Sequence, residues 1–438
     1  MSRSKGWYSE MLTYSLSDMT PGAIQSLLRR EGVDLESFKT SAEKIINEVR
    51  EKGDRALLKY AKEYDGFSGR SLTVSLDRIR SSRKRVSKDL LKALDVSKRR
   101  IEAFHSRQKL DAFEYRDGFG SYGQRVVPLD RVGVYAPGGT AKYMSSVLMA
   151  CIPARIAGVG EISLCSPGRA GAIPDEILVA ADMCGVTEIH PVGGAQSIAA
   201  MAYGTKSIKR VQKIVGPGGP YVSAAKLLVR NDCEIDFLAG PSEILVIADS
   251  SSNPESVAAD MLAQLEHDTL ARAVLVTTSQ SLLEAVKVEL RLQIKQAVRR
   301  GIAEKSAKRG AIFILARSLS EAARFSNRYA PEHLLIDVEK PRSLLRVVKN
   351  AGSVFLGSSS SVAFGDYCAG TNHILPTMGV ASMKSSLSVY DFLKILPYQE
   401  LNAQGAAALA PTVEAIARSE GLPAHAAAAR RRAGMVSN

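Results

Sequence analysis

Paired cysteines, aromatic residues and long apolar runs are all scarce in this chain, and each scarcity removes a class of protein. The five cysteines, Cys151, Cys165, Cys184, Cys233 and Cys368, lie far apart, and none forms a C-x-x-C pair. That excludes a disulfide framework and a thiolate zinc module, and it suits buried free thiols in a reducing compartment. Aromatics are 6% of the residues while hydrophobics reach 45%, so the core is expected to consist of Ala, Val, Ile and Leu. Such a composition favours helices on parallel sheets over an aromatic-rich β-sandwich. No long apolar run lacks charges, so no membrane span is expected. The opening MSRSKGWYSEMLTYSL lacks the apolar stretch of a signal peptide, and a cytoplasmic location is the expectation. A G-x-G-x-x-G fingerprint is absent as well.

One charge sign dominates: the formal net charge is +13, with basic runs such as RIRSSRKR at Arg78–Arg85. Aromatic residues do not interleave with these charges, and no helix-turn-helix, RNA-recognition or zinc-finger pattern is present. The run reads as a solvated helix face, and no nucleic-acid partner is expected.

With 438 residues the chain is too long for one core, so two or more domains are expected. Residues up to about 130 read mainly as helices. From Arg131 short apolar runs alternate with helical stretches: RVGVYAPGG, SSVLMACIPARIAGV, EISLCSPG, then on through EILVIAD, ARAVLVTT, GAIFILA, HLLIDV and GSVFLG. Repeated β–α units call for parallel sheets covered by helices. After about 386 the chain reads as helical and Ala-rich. Four strand candidates end in turns, at Pro137-Gly138-Gly139, Pro167-Gly168, Gly193-Gly194 and Pro217-Gly218-Gly219. Ligands of open parallel sheets bind at carboxyl ends of strands, where glycines let backbone approach a phosphate. A nucleotide-sized ligand fits four such turns.

Three clusters carry titratable groups. YAPEHLLI sets Glu332 and His333 side by side before an apolar run. The helix expected after the N-cap Asn253 and Pro254 carries Gln264 and His267 three apart, on one face, with Asp260. FGDYCAGTNH places Asp366 and His373 in a glycine-flanked loop, and beyond these three clusters EGLPAH near the C-terminus adds Glu420 and His425. Gln264, His267, Asp366 and His425 would form an N/O metal site without thiolate, suited to Zn²⁺, Mn²⁺ or Co²⁺. Spacing alone does not select this quartet over other combinations. His105 and His190 lie outside these clusters and read as structural.

Taken in order, RVGVYAPGG, PVGGAQSIAAMAYGT, LAGPSEILVIAD, QLEHD, APEHLL, AGSVFLG, GDYCAGTNHILPT and GLPAH resemble the histidinol dehydrogenase family, from about residue 20 to about 430. The resemblance implies a Zn²⁺-dependent homodimer, one Zn²⁺ per subunit, that oxidises L-histidinol to L-histidine through histidinaldehyde with two NAD⁺, the last step of histidine biosynthesis. It implies metal ligands Gln264, His267, Asp366 and His425. Substrate contacts are expected from Ser242, Gln264, His267, His333, Asp366, His373, Glu420 and His425. His333 would be the principal base, and Glu332 would activate the water that attacks the aldehyde. NAD contacts would come from Tyr135, Gln196 and position 219, where this chain has Gly219 in place of the family's asparagine. The fold implied is α/β: two incomplete Rossmann-like domains, with helical N- and C-terminal segments that pack across the dimer. The expected divisions are a helical segment 1–29, a main α/β domain 30–134 plus 244–386 with the catalytic residues, an NAD-contacting domain 135–243, and a helical tail 387–438 completing the partner's site.

Adjacent side chains on a strand point to opposite faces. For Glu332 and His333 to serve one site, they must lie at the irregular start of their strand, stiffened by Pro331. Cys165 and Cys368 read as packing residues. A dehydrogenase of another small polar alcohol on the same scaffold is the nearest rival; a non-catalytic metal- or nucleic-acid-binding protein is more distant.

Overall fold

The structure, a computed structural model, describes residues 11–30, 34–69, 71–138, 142–168 and 172–434. Gly139, the first ten residues of the expected N-terminal segment and the last four of the tail lie outside that range. Its strands in chain order are β1 (Leu12–Ser15), β2 (Phe113–Asp117), β3 (Gly120–Pro128), β4 (Arg131–Tyr135), β5 (Glu161–Cys165), β6 (Glu188–His190), β7 (Lys213–Val215), β8 (Glu234–Ile235), β9 (Glu243–Ala248), β10 (Arg272–Thr277), β11 (Ala311–Leu315), β12 (His333–Asp337), β13 (Ser353–Leu356) and β14 (Leu393–Leu401).

Two parallel sheets form the frame. One has six strands in the order β1-β11-β10-β9-β12-β13, the other five in the order β6-β5-β4-β7-β8. All six residues of β9 and all five of β12 are buried, as strands covered on both faces must be. Alternation along β9 divides the apolar contacts. Ile244, Val246 and Ala248 enter one core with Met261 and Leu283, while Leu245 and Ile247 enter another with Ala322 and Phe325. The five-stranded sheet is split in the same way, with Val132 and Val134 on one side and Tyr135 on the other.

Each sheet reverses its winding at one point. From β4 the chain builds outward to β6 and then returns beside β4 as β7. From β9 it builds outward to β11 and returns beside β9 as β12. The cofactor candidates fall at the carboxyl ends of the strands beside the first reversal, and the catalytic candidates at the amino ends of the strands beside the second.

The expected divisions shift in three places. Segment 1–29 is not wholly helical, because Leu12–Ser15 pairs with β11 at the edge of the six-stranded sheet. Helices Glu36–Lys52 and Asp54–Asp65 pack on the five-stranded sheet and its helices, and Lys88–His105 packs there too while also bonding to the carbonyls of Tyr367 and Cys368. Their apolar stripes match that layer, and helical periodicity cannot tell which sheet a stripe will meet. A cut at 134/135 would also sever β4. Finally, the tail is not purely helical: β14 joins β2 and β3 in a three-stranded antiparallel sheet before helices Ala403–Ser419 and Pro423–Ala433. Pro397 and the mixed composition of LKILPYQEL hid that strand.

At the reversal between β4 and β7, Gly216 has φ +112°, and a Cβ added there would overlap the carbonyl oxygen of Tyr135. Its N–H donates to Asp236 Oδ2 at 2.8 Å, and its carbonyl accepts from the buried Lys226 Nζ at 2.6 Å. Gly216→Ala is expected to lower stability by about 2–4 kcal/mol, adding backbone strain to overpacking. A urea midpoint unchanged from the parent chain would contradict this reading of the turn.

Candidate active site

The catalytic candidates gather at the feet of β9 and β12, the two strands at the winding reversal of the six-stranded sheet. The helix Leu319–Tyr329 ends at Ala330, whose φ of 46° is left-handed, and Pro331 and Glu332 precede the strand. His333 opens β12, in register with Ile244. The irregular approach lets two adjacent side chains serve one place, as the sequence required. Glu332 Oε2 accepts from the backbone N–H of Glu243 at 2.8 Å, and His333 Nδ1 lies 3.1 Å from the Glu243 carbonyl oxygen. The backbone of one residue on β9 thus binds both.

With Nδ1–H donating to that carbonyl, the lone pair of His333 is on Nε2. This Nε2 is buried and has no hydrogen-bond partner among the described residues; Asp366 Oδ1 stands 3.4 Å away, at ion-pair distance without alignment. Burial lowers the affinity of the imidazole for a proton, but Glu332 and Asp366 outweigh it and hold the pKa well above the ordinary value.

Asp366 lies on the short helix Val362–Tyr367, which brings the chain back from the far end of β13. Burial alone would raise its carboxyl, yet His333, His373 and His267 hold it below the usual range. His373 Nδ1 lies 2.7 Å from the Asp366 carbonyl oxygen, and its Nε2 lies 3.1 Å from Ser146 Oγ. Burial lowers the pKa of this imidazole. Ser146 sits in the first turn of the helix Met144–Ala157 that follows β4, so the five-stranded sheet supplies a wall of the same site. Ser242, just before β9, closes the group; its carbonyl accepts from Arg272 N–H.

Asn253 caps its helix through the N–H groups of Glu255 and Ser256 as expected. The helix ends at Leu265, and a tighter bond from His267 N–H to the Gln264 carbonyl carries the turn onward. Gln264 is buried and His267 exposed. Among the described residues no three His, Cys, Asp or Glu side chains converge on a metal position. Gln264, His267 and Asp366 carry two oxygen donors and one nitrogen, a donor set whose chemistry would suit Zn²⁺. His425 and Glu420 stand exposed at the helix–helix corner of the tail.

The cofactor candidates form a second group, at the carboxyl ends of β4 and its neighbours. Tyr135 Oη accepts from Gly194 N–H at 3.4 Å, and burial pushes its phenol up to about 12. Gln196 is 1% exposed, with Nε2 lacking a hydrogen-bond partner among the described residues, and it lines a cavity of about 560 Å³ with Lys44, Tyr60, Tyr64, Asp65 and Tyr221. Gly219 caps the helix Pro220–Val229 that carries Tyr221, and a Cβ placed on it meets nothing within 4 Å among the described residues.

Burial pushes the Cys165 thiol up to about 12, so it stays protonated and serves packing. Cys368 is partly buried. His105 and His190 bond to Gln108 and to the Leu72 carbonyl, in structural roles. In the basic run Arg78 and Arg85 pair with Asp175, and Arg83 with Asp182. No helix among the described residues is long and apolar enough to cross a membrane.

Sequence reasoning passed over Glu243, Arg30, Tyr329 and Ser146. The signal at Glu243 was of the same kind as at Glu332, a carboxylate opening an apolar strand, in the quoted run LAGPSEILVIAD. Arg30 and Ser146 are brought in by tertiary packing and carry no local signal.

The family model for histidinol dehydrogenase matches residues 28–433. A protein named histidinol dehydrogenase from Methanothermobacter thermautotrophicus is 45% identical over 412 residues, covering 93% of this chain and 96% of that one. One of the same name from Methanosarcina barkeri is 44% identical, covering 97% and 98%. The crystal structure of histidinol dehydrogenase from Elizabethkingia anophelis superposes with a TM-score of 0.93 at 35% identity, covering 98% of this chain and 99% of that one. With sequence and fold matched over almost its whole length, the chain belongs to the histidinol dehydrogenase family.

Proposed function

We propose that this member of the histidine-biosynthesis dehydrogenases oxidises L-histidinol to L-histidine in two steps at the feet of β9 and β12. The observation that carries the reading is His333. A buried imidazole has one nitrogen fixed by a backbone carbonyl and the other aimed, without a hydrogen-bond partner among the described residues, at the Asp366 side of the site. That is how a proton acceptor is oriented.

His333 Nε2 takes the hydroxyl proton of the alcohol as a hydride departs. For the second oxidation a water must add to the aldehyde. Glu332, held by the Glu243 N–H, keeps its other oxygen to orient and deprotonate that water, and His333 then takes the proton of the hydrate. Histidinol and water together become the carboxylate with loss of two hydrides and three protons. NAD⁺, held by Tyr135, Gln196 and the backbone near Gly219, supplies the hydride acceptor. Gln264, His267 and Asp366, with His425 from a second subunit, would hold Zn²⁺; when bound it supplies a Lewis acid that fixes the substrate nitrogens and offsets the Asp366 charge beside His333. Ser242, His373 and the second subunit's Glu420 position the substrate.

The exposed tail supports the reading of a shared site. Phe113, Tyr115, Ile395, Leu396, Val413 and Ile416 are exposed on the three-stranded sheet and tail. A homodimer would cover such a face.

His333→Asn is expected to lower turnover by on the order of 10²–10⁴-fold, read as NADH formation. Glu332→Gln should slow oxidation of histidinaldehyde more than that of histidinol; equal loss on both would contradict the division of labour. His267→Ala and His425→Ala dimers, each inactive, should regain part of the activity when subunits exchange; proven exchange with no recovery would refute a shared site. Gly219→Asn enters open space at φ −70°. It should fold normally and lower the KM for NAD⁺, whereas an unchanged KM would remove position 219 from the cofactor site.

A further inference from the structure

Behind the catalytic pair lies a buried cluster that no step above uses. The Glu243 side chain is 1% exposed, and its Oε1 accepts from Arg30 Nη1 at 2.7 Å. Arg30 is 2% exposed in its side chain and stacks its guanidinium 3.7 Å above the centre of the Tyr329 ring. Tyr329 Oη donates to Glu243 Oε2 at 3.4 Å, and Met378 N–H donates to Oε1 at 3.2 Å. Met378 itself has a left-handed φ of 58°.

One carboxylate therefore ties four pieces of chain together. Arg30 belongs to the segment after the first helix, Pro21–Leu28. Tyr329 closes the helix before Ala330-Pro331-Glu332-His333. Met378 lies beyond His373 on the loop from Asp366. Glu243 opens β9, and its own peptide N–H and C=O bind Glu332 and His333.

We propose that Arg30 and Glu243 are positioning residues for proton transfer. The ion pair fixes the Glu243 backbone, and its C=O and N–H fix the tautomer and aim of His333 and the orientation of Glu332. Neither side chain needs to touch substrate. A buried pair of this kind is a poor source of net stability, because desolvation cancels much of the attraction, so its use here is geometric. Removing one partner leaves an uncompensated charge whose relaxation moves the start of β9. A misplacement of about 1 Å in a reacting group costs on the order of a hundredfold in rate.

The inference rests on the histidinol-oxidising reading, and the wild-type holoenzyme controls for that: failure of the zinc-loaded parent to form NADH from histidinol would refute the reading itself. The test compares Arg30→Gln, Arg30→Lys and Glu243→Gln as folded, zinc-loaded dimers. For Arg30→Gln, kcat on histidinol should fall roughly 10–100-fold while KM stays within about threefold. The primary deuterium isotope effect with carbinol-deuterated histidinol should rise as chemistry becomes rate-limiting. Arg30→Lys, which keeps the charge, should recover much of the loss. If Arg30→Gln does not fold, Glu243→Gln carries the test, with the same split and the same rise expected. A folded Arg30→Gln or Glu243→Gln with wild-type kcat and isotope effect, and only a lower melting temperature, would overturn the proposal and leave the pair a structural one.

Discussion

The parallel register of β9 against β12 is the constraint on which the catalytic end depends. It sets His333 opposite Ile244, and so places Glu332 and His333 within reach of the backbone N–H and C=O of Glu243. A slip of one residue would turn His333 to the other face and break both bonds. The register is held by strands that are apolar on both faces, each face entering its own hydrophobic core. Chemistry is thus confined to the edge by the same burial that fixes the frame.

The two sheets use their ends differently. In the five-stranded sheet the cofactor candidates lie at the carboxyl ends of strands beside the winding reversal, as open parallel sheets ordinarily place a ligand. In the six-stranded sheet the catalytic candidates lie at the amino ends of the strands beside its reversal. The two edges meet where Ser146, from the helix after β4, touches His373.

Much of this was legible in the residues. Uninterrupted apolar runs gave buried parallel strands, and Asn253-Pro254 marked a helix start that the structure reproduces. YAPEHLLI announced polar side chains at an irregular strand start. What stayed hidden was set by tertiary packing. The stripe of helix Glu36–Lys52 does not say which sheet it will cover. β14 lacks a strand's alternation because its residues are exposed on a three-stranded sheet. Asp366 was expected in a glycine-flanked loop, yet it lies on the short helix Val362–Tyr367, which carries it back to the amino-terminal edge. Arg30 has no motif at all; it matters because a distant carboxylate is buried beside it.

The account's central claim is that one site performs both oxidations on the same molecule. The direct measurement is NADH formed per L-histidinol consumed by the zinc-loaded enzyme, with an aldehyde-trapping hydrazine in solution. Two NADH per histidinol with no hydrazone is the predicted result. One NADH with hydrazone accumulating would contradict it, showing that the aldehyde leaves before Glu332 and His333 act on it.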